Sequence, residues 1–316
     1  MKTKWSKFLI SIPRTNPTRK YPGKTFTFFI LTGLLLVSGC NQLFYNPSPW
    51  QYLNPQQMGL QYKDVYFHSE DGTKLHGWFV PAQSKNAKGT VIHYHGNAEN
   101  LSHYFFHVFF IPQQNYNLFM FDYRGYGQSE GEAEPKGIYE DALAALNYVQ
   151  SRADVDSTKL IVFGQSLGGA LALRLMGDLK PAGIAGVVTE GAFYTYQQIA
   201  EEKMAEVWFT KLLKYPLSQL LFHDDYAPAP VIKNISPIPL LIVHGSRDDV
   251  VPYHHGIQIF EAAREPKWMW TIENGRHIQM LSKYRSIYRD RLIAFFDRSI
   301  DSGAASSGQK QGSLSK

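Results

Sequence analysis

The feature that most constrains the fold of this 316-residue chain is a regular alternation of short apolar runs with helical patterns. The runs at 90–94, 160–163 and 240–243 consist mainly of aliphatic and aromatic side chains, as expected for strands buried on both faces of a sheet. Segments with apolar residues at helical spacing, such as 137–152, lie between them. This alternation predicts an α/β fold with a mostly parallel central sheet and helices on both of its faces.

Both ends of the chain and one internal segment depart from the alternation. Residues 41–57 are rich in Pro, Asn and Gln and are predicted to form a linker, whereas the small polar residues of 300–316 predict a disordered tail. The folded body is therefore predicted at 58–299. Within it, the segment 194–236 is too long for a simple connection and has helical patterns, so we predict a small helical cap insertion over the carboxyl edge of the sheet.

A serine lies between two glycines where one apolar run gives way to a helical pattern. Residues 163–169 read Phe-Gly-Gln-Ser-Leu-Gly-Gly, so Gly164 comes two residues before Ser166 and Gly168 comes two residues after it. A sharp strand-to-helix turn can present a serine hydroxyl for nucleophilic attack, and glycines at these positions relieve the steric clash of such a turn. The stretch predicts a nucleophilic serine, with an ordinary glycine-rich turn as the structural alternative.

A nucleophilic serine needs a base and an acid that orients the base, and on this architecture the acid and then the base follow the serine along the chain. Asp248 and Asp249 come shortly after the apolar run 240–243, at the sheet edge where Ser166 is expected. His277 lies in a predicted loop before the last helical pattern. We predict Asp248 as the acid, with Asp249 as the alternative, and His277 as the base.

Other histidines could compete with His277 or bind a metal. His244 lies within a predicted strand and is expected to be a core residue, whereas His254 and His255 open a helix and are expected to face solvent. His93 and His95 share one face of a strand, but no further cluster of metal-ligand residues follows them. We therefore predict no metal and no cofactor.

The negative charge that develops on a substrate carbonyl oxygen during nucleophilic attack requires nearby hydrogen-bond donors. On this architecture one donor is the backbone N–H of the residue after the nucleophile, and the other belongs to the loop after an earlier strand. These rules predict the backbone N–H groups of Leu167 and of Asn97, which lies just beyond the run 90–94.

The first 40 residues have the form of a bacterial lipoprotein signal peptide. A basic stretch to Lys24 precedes an apolar run at 26–37, and Ser38-Gly39-Cys40 follows. The run is short for a membrane-spanning helix, and Cys40 is the only cysteine, which excludes an internal disulfide. We predict cleavage before Cys40 and lipidation of its thiol, with an uncleaved anchor helix as the alternative. Both outcomes tether the body to a membrane of the cell envelope, and Asn41 favours the outer membrane in a Gram-negative host.

The charge of the chain is concentrated in this N-terminal region. The whole sequence has a net charge of +5, but its first 40 residues hold seven Lys and Arg and no acidic residue. The remainder has 25 basic and 27 acidic residues, a net charge of about −2. A body with this balance lacks the basic character of a nucleic-acid-binding protein, so we expect no nucleic-acid partner.

The chain carries five motifs that together resemble those of the α/β-hydrolase superfamily, in the order HYHGNAEN, FDYRGYGQSEG, GQSLGG, HGSRDDVVP and GRHIQM. The resemblance extends over about 60–297, and it is closest to the branch of membrane-anchored α/β-hydrolase-domain proteins and their bacterial relatives. It implies a scaffold turn formed by Asp122, Arg124, Gly125 and Gly127, and a strand that ends at Glu190 before the cap. Arg276 departs from the family pattern, which usually has glycine before the histidine, and is expected to alter the pocket rim.

The resemblance and the Ser-Asp-His order together imply a serine hydrolase that cleaves ester or thioester bonds of small acyl or lipid-like substrates. One alternative is an aminopeptidase-like serine peptidase, which needs acidic residues to bind the substrate amine; Glu201, Glu202 and Glu206 of the predicted cap are candidates. A second alternative is a non-catalytic binding lipoprotein. The residues 104–110 and the cap residues Trp208, Phe209, Leu212 and Leu213 are candidates for an acyl groove, although core packing is the stronger interpretation of each.

Overall fold

A computed structural model describes residues 45–206 and 214–312 of the chain. The strands are β1 Asn46–Pro47, β2 Lys63–His68, β3 Lys74–Val80, β4 Gly89–Tyr94, β5 Ala98–Glu99, β6 Tyr116–Phe121, β7 Leu160–Gln165, β8 Ile184–Glu190, β9 Leu240–Gly245 and β10 Lys267–Ile272. Eight of them form one sheet in the order β10-β9-β8-β7-β4-β6-β3-β2. The pairings of β3 with β2 and with β6 are antiparallel, and the others are parallel. This sheet confirms the predicted fold class.

Helices cover both faces of the sheet. They are α1 Leu101–Val108, α2 Pro135–Ser151, α3 Leu167–Leu179, α4 Tyr196–Glu206, α5 Lys214–Leu221, α6 His254–Ala262 and α7 Arg285–Gly312. Successive residues of β7 point to opposite faces: Leu160 and Val162 pack with residues of α2, α3 and α6, whereas Ile161 and Phe163 pack with residues of α1 and α7. The two hydrophobic layers explain why the central strands are buried along their whole length.

Helices α4 and α5 and the short 3₁₀ helix Ile232–Asn234 lie between β8 and β9, in the segment predicted as the cap insertion. The proposed groove residues Trp208, Phe209, Leu212 and Leu213 fall outside the described residues. The aromatic stretch 104–110 lies mainly in the core rather than in a groove, because α1 packs against the sheet. Its buried members are Tyr104, Phe105, His107, Val108 and Phe110.

The prediction of a linker at 41–57 is wrong from Tyr45 onward. β1 pairs with β5, so the chain is attached to the loop that follows β4. The Asn100 side-chain Nδ2 donates to the carbonyl oxygens of Ser48 at 2.8 Å and Trp50 at 2.7 Å. Tyr45 is buried in the core. Backbone groups of residues 45–52 therefore bind the loop 97–102. We call residues 45–52 the N-terminal strap.

The prediction of a disordered tail at 300–316 is also wrong as far as Gly312, because α7 continues to that residue. Leu292, Phe296 and Ile300 on this helix are buried against the sheet. No proline interrupts 301–312, and the helix continues past these buried residues through Gly303 and Gly308, although glycine is a poor helix former.

The predicted signal peptide, its apolar run and Cys40 lie outside the described residues. Over 45–206 and 214–312, no helix has both the length and the apolar character required to cross a bilayer.

Candidate active site

Ser166 occupies a strained turn between β7 and α3. Its backbone dihedral angles are φ +54° and ψ −117°, a combination that non-glycine residues rarely adopt. The turn is held by the backbone N–H of Ser166, which donates to the carbonyl oxygen of Glu190 at 2.8 Å. Strain of this kind is concentrated at functional sites, because it aims one side chain in a direction that regular structure cannot provide.

The glycines beside this turn allow backbone segments to approach closely. A Cβ atom on Gly164 would lie 2.3 Å from the carbonyl oxygen of Gly168, and one on Gly168 would lie 2.1 Å from the carbonyl oxygen of Tyr94. Neither position has room for a side chain. The sharp turn at Ser166 and the contact between α3 and the end of β4 therefore both depend on glycine.

Asp248 and His277 form a hydrogen-bonded pair at the carboxyl edge of the sheet. The His277 Nδ1–H donates to Asp248 Oδ2 at 2.8 Å, and Asp248 Oδ1 accepts the backbone N–H groups of Val250 and Val251 at 2.9 Å each. Burial alone would raise the pKa of Asp248, but the bond and charge of His277 and the Val251 N–H hold that pKa below its usual range. The carboxylate fixes the imidazole tautomer, which leaves Nε2 as the proton acceptor.

The alternative acid, Asp249, forms no hydrogen bond or ion pair with His277. Its carboxylate is exposed and lies 3.6 Å from the Arg276 guanidinium, which is also exposed. The departure from the family pattern at Arg276 therefore adds a charged side chain at the surface beside the Asp248–His277 pair.

Ser166 and His277 border the same piece of backbone, the end of β8. The Ser166 N–H donates to Glu190, and a Cβ atom on the next residue, Gly191, would lie 3.0 Å from Cε1 of the His277 ring. Among the residues that the structure describes, none forms a hydrogen bond with the Ser166 hydroxyl. The Asp248–His277 pair is thus formed beside the serine turn, and the bond from Ser166 to His277 stays a prediction.

The two predicted oxyanion donors lie on segments that touch each other. Leu167 is the first residue of α3, so its N–H has no acceptor within the helix. The close approach of Gly168 to Tyr94 and His95 brings the start of α3 against the loop that contains Asn97. The assignment of these two N–H groups as oxyanion donors stays a prediction.

A buried glutamate that the family resemblance implied only as a strand end lies beneath this site. Glu190 Oε2 accepts from the Gln165 side-chain amide at 2.7 Å, and Oε1 accepts from the backbone N–H of Met280 at 2.7 Å. Burial raises the pKa of Glu190 to about 7, against the opposing effect of the bonds from Gln165 and Met280. Sequence patterns did not identify this role, because the partners of Glu190 are distant along the chain.

Within 45–206 and 214–312, no third metal-ligating side chain joins His93 and His95. The ring of His93 binds Gln165 at 3.1 Å through Nε2, and His95 Nδ1 donates to the carbonyl oxygen of Gly96 at 2.7 Å. Burial lowers the pKa of His93 to about 3 and that of the neighbouring His107 to about 4, so both rings are neutral.

The prediction that His254 and His255 face solvent is wrong for His255, which is fully buried where α6 meets α4. Glu202 binds both rings, with Oε1 2.8 Å from His254 Nε2 and Oε2 3.1 Å from His255 Nε2. In the part of the chain that the structure describes, this is the one group with metal-ligand geometry. Its chemistry does not suit a metal: the Tyr194 N–H donates to His255 Nδ1 at 3.0 Å, so Nε2 carries the proton and donates to Glu202. The group instead links the cap helix α4 to α6.

The turn at 122–127, which the family resemblance implied to be part of the scaffold, holds neighbouring elements of the fold together. Arg124 binds Asp141 through Nη2 at 2.9 Å and Asp71 through Nη1 at 2.8 Å, and Asp141 is fully buried. Asp122 Oδ1 accepts the first backbone N–H of α1, from Leu101, at 2.7 Å. These contacts tie β6 to α1 and α2 and do not involve Ser166 or His277.

Comparison with known proteins shows what this combination of sheet, serine turn and Asp–His pair is similar to. Residues 85–236 match the family model described as serine aminopeptidase, S33. The protein YfhR of Escherichia coli K12, which is uncharacterised, is 36% identical over 255 residues, which cover 79% of this chain and 82% of the relative. A relative named alpha/beta hydrolase domain-containing protein WAV2, from Arabidopsis thaliana, is 30% identical over 279 residues, which cover 84% of this chain and 89% of the relative. The chain belongs to the α/β-hydrolase superfamily.

Solved structures of this superfamily share the fold. An esterase from Pyrococcus furiosus superposes with a TM-score of 0.67 at 23% identity, covering 81% of this chain and 98% of the esterase. At this level of identity the similarity defines the architecture of the hydrolase fold, and the chemistry must be argued from the residues of this chain.

Proposed function

We propose that this α/β hydrolase is a serine hydrolase that cleaves carboxylic ester or thioester bonds, with Ser166 as nucleophile, His277 as base and Asp248 as the orienting acid. The observation that carries the proposal is the 2.8 Å bond from His277 Nδ1 to a buried carboxylate, next to a serine in a strained strand-to-helix turn. A base oriented in this way beside a serine in a strained turn is the arrangement that activates a serine hydroxyl.

In the proposed reaction, Ser166 Oγ attacks the substrate carbonyl carbon while His277 Nε2 takes the hydroxyl proton. The bond between Ser166 and His277 forms on substrate binding, since catalytic hydrogen bonds tighten in the Michaelis complex. The N–H groups of Leu167 and Asn97 bind the oxyanion. His277 then donates its proton to the leaving alcohol or thiol, which leaves an acyl-enzyme that water hydrolyses by the same steps in reverse. These residues require no metal or cofactor.

A cavity of about 280 Å³ beside the cap is the candidate site for the acyl part of the substrate. One side of it is apolar, formed by Tyr45 of the N-terminal strap, Tyr196 at the start of α4, and Leu221 and Phe222 at the end of α5. The remaining lining is mainly polar and consists of Glu134, Pro135, Lys136, His223, Asp225 and Tyr226, and neither Ser166 nor His277 borders the cavity. Asn46, the residue after Tyr45, donates its backbone N–H to the carbonyl oxygen of Asn97 at 3.3 Å. The wall formed by Tyr45 therefore belongs to a segment that binds the loop of the proposed oxyanion donor.

The aminopeptidase alternative is less well supported. A peptidase of that type needs a carboxylate available for the substrate amine, and the three cap glutamates have other partners. Glu201 pairs with Lys214 at 3.1 Å, Glu206 pairs with Lys203 at 2.8 Å, and Glu202 binds His254 and His255. An ester or thioester, which presents no charged amine, fits this arrangement better.

We further propose that the protein is a lipoprotein of the cell envelope, anchored through Cys40. The support is the order of a basic stretch, a short apolar run and Ser38-Gly39-Cys40. Mass spectrometry of the membrane-extracted protein tests this directly: a diacylglyceryl adduct on an N-terminal Cys40 is expected, and an unmodified, uncleaved N-terminus refutes it.

The function is tested by comparing hydrolysis of a short 4-nitrophenyl ester, an acyl thioester and an aminoacyl 4-nitroanilide by the wild-type protein and Ser166→Ala. We expect turnover of the ester and thioester, and its loss by at least about 10³-fold in Ser166→Ala. Ser84→Ala is the matched control, because Ser84 lies in an exposed loop between β3 and β4. Unchanged ester turnover by Ser166→Ala, or a preference for the anilide, contradicts the proposal.

A further inference from the structure

Two segments of the proposed active site meet at Glu190, at the carboxyl end of β8. The backbone N–H of Ser166 donates to the Glu190 carbonyl oxygen at 2.8 Å. The side chain of Gln165, directly before the nucleophile, donates to Oε2 at 2.7 Å, and Met280, three residues after His277, donates its backbone N–H to Oε1 at 2.7 Å. One residue therefore contacts both the nucleophile turn and the histidine loop.

These contacts match the carboxylate form of Glu190. Each carboxylate oxygen accepts a hydrogen bond from an N–H group, and a protonated carboxyl group would direct its O–H at one of these donors. If the Gln165 amide rotated so that its oxygen could accept that proton, it would break its other hydrogen bonds. Its Oε1 already accepts from His93 Nε2 at 3.1 Å and His107 Nδ1 at 3.3 Å. The orientation of the Gln165 amide is therefore set from both ends.

We propose that Glu190 is a positioning residue of this hydrolase, whose carboxylate holds the Ser166 turn and the His277 loop in the relative positions that proton transfer requires. The inference rests on the proposed serine-hydrolase function. It assigns to Glu190 no contact with the substrate. Its effect on the reaction is exerted through Ser166 and His277.

The electrostatic surroundings of Glu190 make this role dependent on pH. Burial, with a smaller contribution from the charge of Asp248, raises the pKa of Glu190 to about 7 against the opposing effects of the bonds from Gln165 and Met280 and of the charge of His277. His93 on β4 and His107 on α1, which face Glu190 through Gln165, are neutral because burial lowers their pKa values to about 3 and 4. The carboxylate form is therefore present above about pH 7 and is lost as the pH falls through that value. The protonated form prevails below it.

The experiment measures kcat/KM for a short 4-nitrophenyl ester against pH in the wild-type protein and in Glu190→Gln. The amide of Glu190→Gln does not titrate and cannot accept from both donors, so it resembles the protonated form of Glu190. We expect kcat/KM about tenfold below wild type at pH values above about 7, mainly through kcat. The ratio of wild-type to Glu190→Gln kcat/KM should then fall from about ten towards one as the pH falls through about 7, because the wild-type carboxyl group becomes protonated.

Asp141→Asn is the matched control, because Asp141 is a second fully buried carboxylate that binds Arg124 away from Ser166 and His277. It is expected to lower thermal stability and to keep a ratio to wild-type kcat/KM that does not change with pH, which separates a general loss of stability from a loss of positioning. Wild-type kcat/KM in Glu190→Gln at all pH values, a ratio of wild type to Glu190→Gln that does not change through about pH 7, or the same pH-dependent ratio for Asp141→Asn overturns the inference. If Ser166→Ala retains activity, the proposed function fails first. If Ser166→Ala is inactive and Glu190→Gln behaves as wild type, only the role of Glu190 fails.

Discussion

Asp248→Asn tests the Asp–His pair with almost no change in side-chain shape. Asp248 Oδ1 accepts two backbone N–H groups at 2.9 Å, so the carbonyl oxygen of an asparagine should keep that position and direct its NH₂ group at His277. Two N–H groups cannot face each other across 2.8 Å, and His277 must therefore move its proton from Nδ1 to Nε2. In that tautomer Nε2 cannot accept the proton of Ser166.

The expected loss follows from this change of tautomer. In serine hydrolases the same substitution lowers kcat by about 10⁴-fold, which corresponds to about 5 kcal/mol of transition-state stabilisation. We expect a loss of this order for Asp248→Asn, measured as kcat for a short 4-nitrophenyl ester at about pH 8, where an imidazole is neutral. KM should change little, because Asp248 does not contact the substrate.

Asp249→Asn provides the matched control at the adjacent position. Its carboxylate is 62% exposed and faces Arg276 at 3.6 Å, so its removal should change kcat by less than about twofold. The reasoning is refuted if Asp248→Asn, still folded by thermal unfolding, retains more than about a tenth of wild-type kcat, or if Asp249→Asn loses more activity than Asp248→Asn.

Three further substitutions test the supporting structure. Asn100→Asp keeps the acceptor that caps α1 but places an oxygen against the carbonyl groups of Ser48 and Trp50; we expect faster limited proteolysis within the N-terminal strap and a lower kcat, and unchanged proteolysis would contradict this. Gly168→Ala should lower the free energy of unfolding by about 3 kcal/mol in a urea titration, because its Cβ would lie 2.1 Å from the Tyr94 carbonyl oxygen; wild-type stability would be incompatible with that contact. Leu221→Trp should shift the preference in a series of 4-nitrophenyl esters toward shorter acyl chains, by filling part of the cavity beside the cap; an unchanged series would exclude this cavity as the acyl site.

The fold could be predicted because its signals are local. The runs at β4, β7 and β9 lie at the centre of the sheet, where both faces are covered, so nearly every position in them is apolar. The serine turn carries its own signal in Gly164 and Gly168, because backbone atoms leave no room for a side chain at either position. The choice of Asp248 over Asp249 agrees with the geometry, since it is Asp248 that binds His277.

Features that depend on distant contacts could not be predicted in this way. The N-terminal strap reads as a linker because Asn and Pro are common in loops, and only its pairing with β5 shows that it is part of the body. His255 has the pattern of an exposed helix start, yet Tyr194 and Glu202 bind it from other elements. Glu190 has no motif of its own, and its role follows from donors at Gln165 and Met280 that the fold brings together.

Covalent labelling with a fluorophosphonate probe, followed by peptide mass spectrometry, tests the central claim most directly. The probe reacts with a serine only when a neighbouring base activates its hydroxyl. We predict one adduct, on the peptide that contains Ser166, and its loss in His277→Ala although the serine is still present. A wild-type protein that is folded but unlabelled, or labelling that persists without His277, would contradict the assignment of Ser166 and His277 as a catalytic pair.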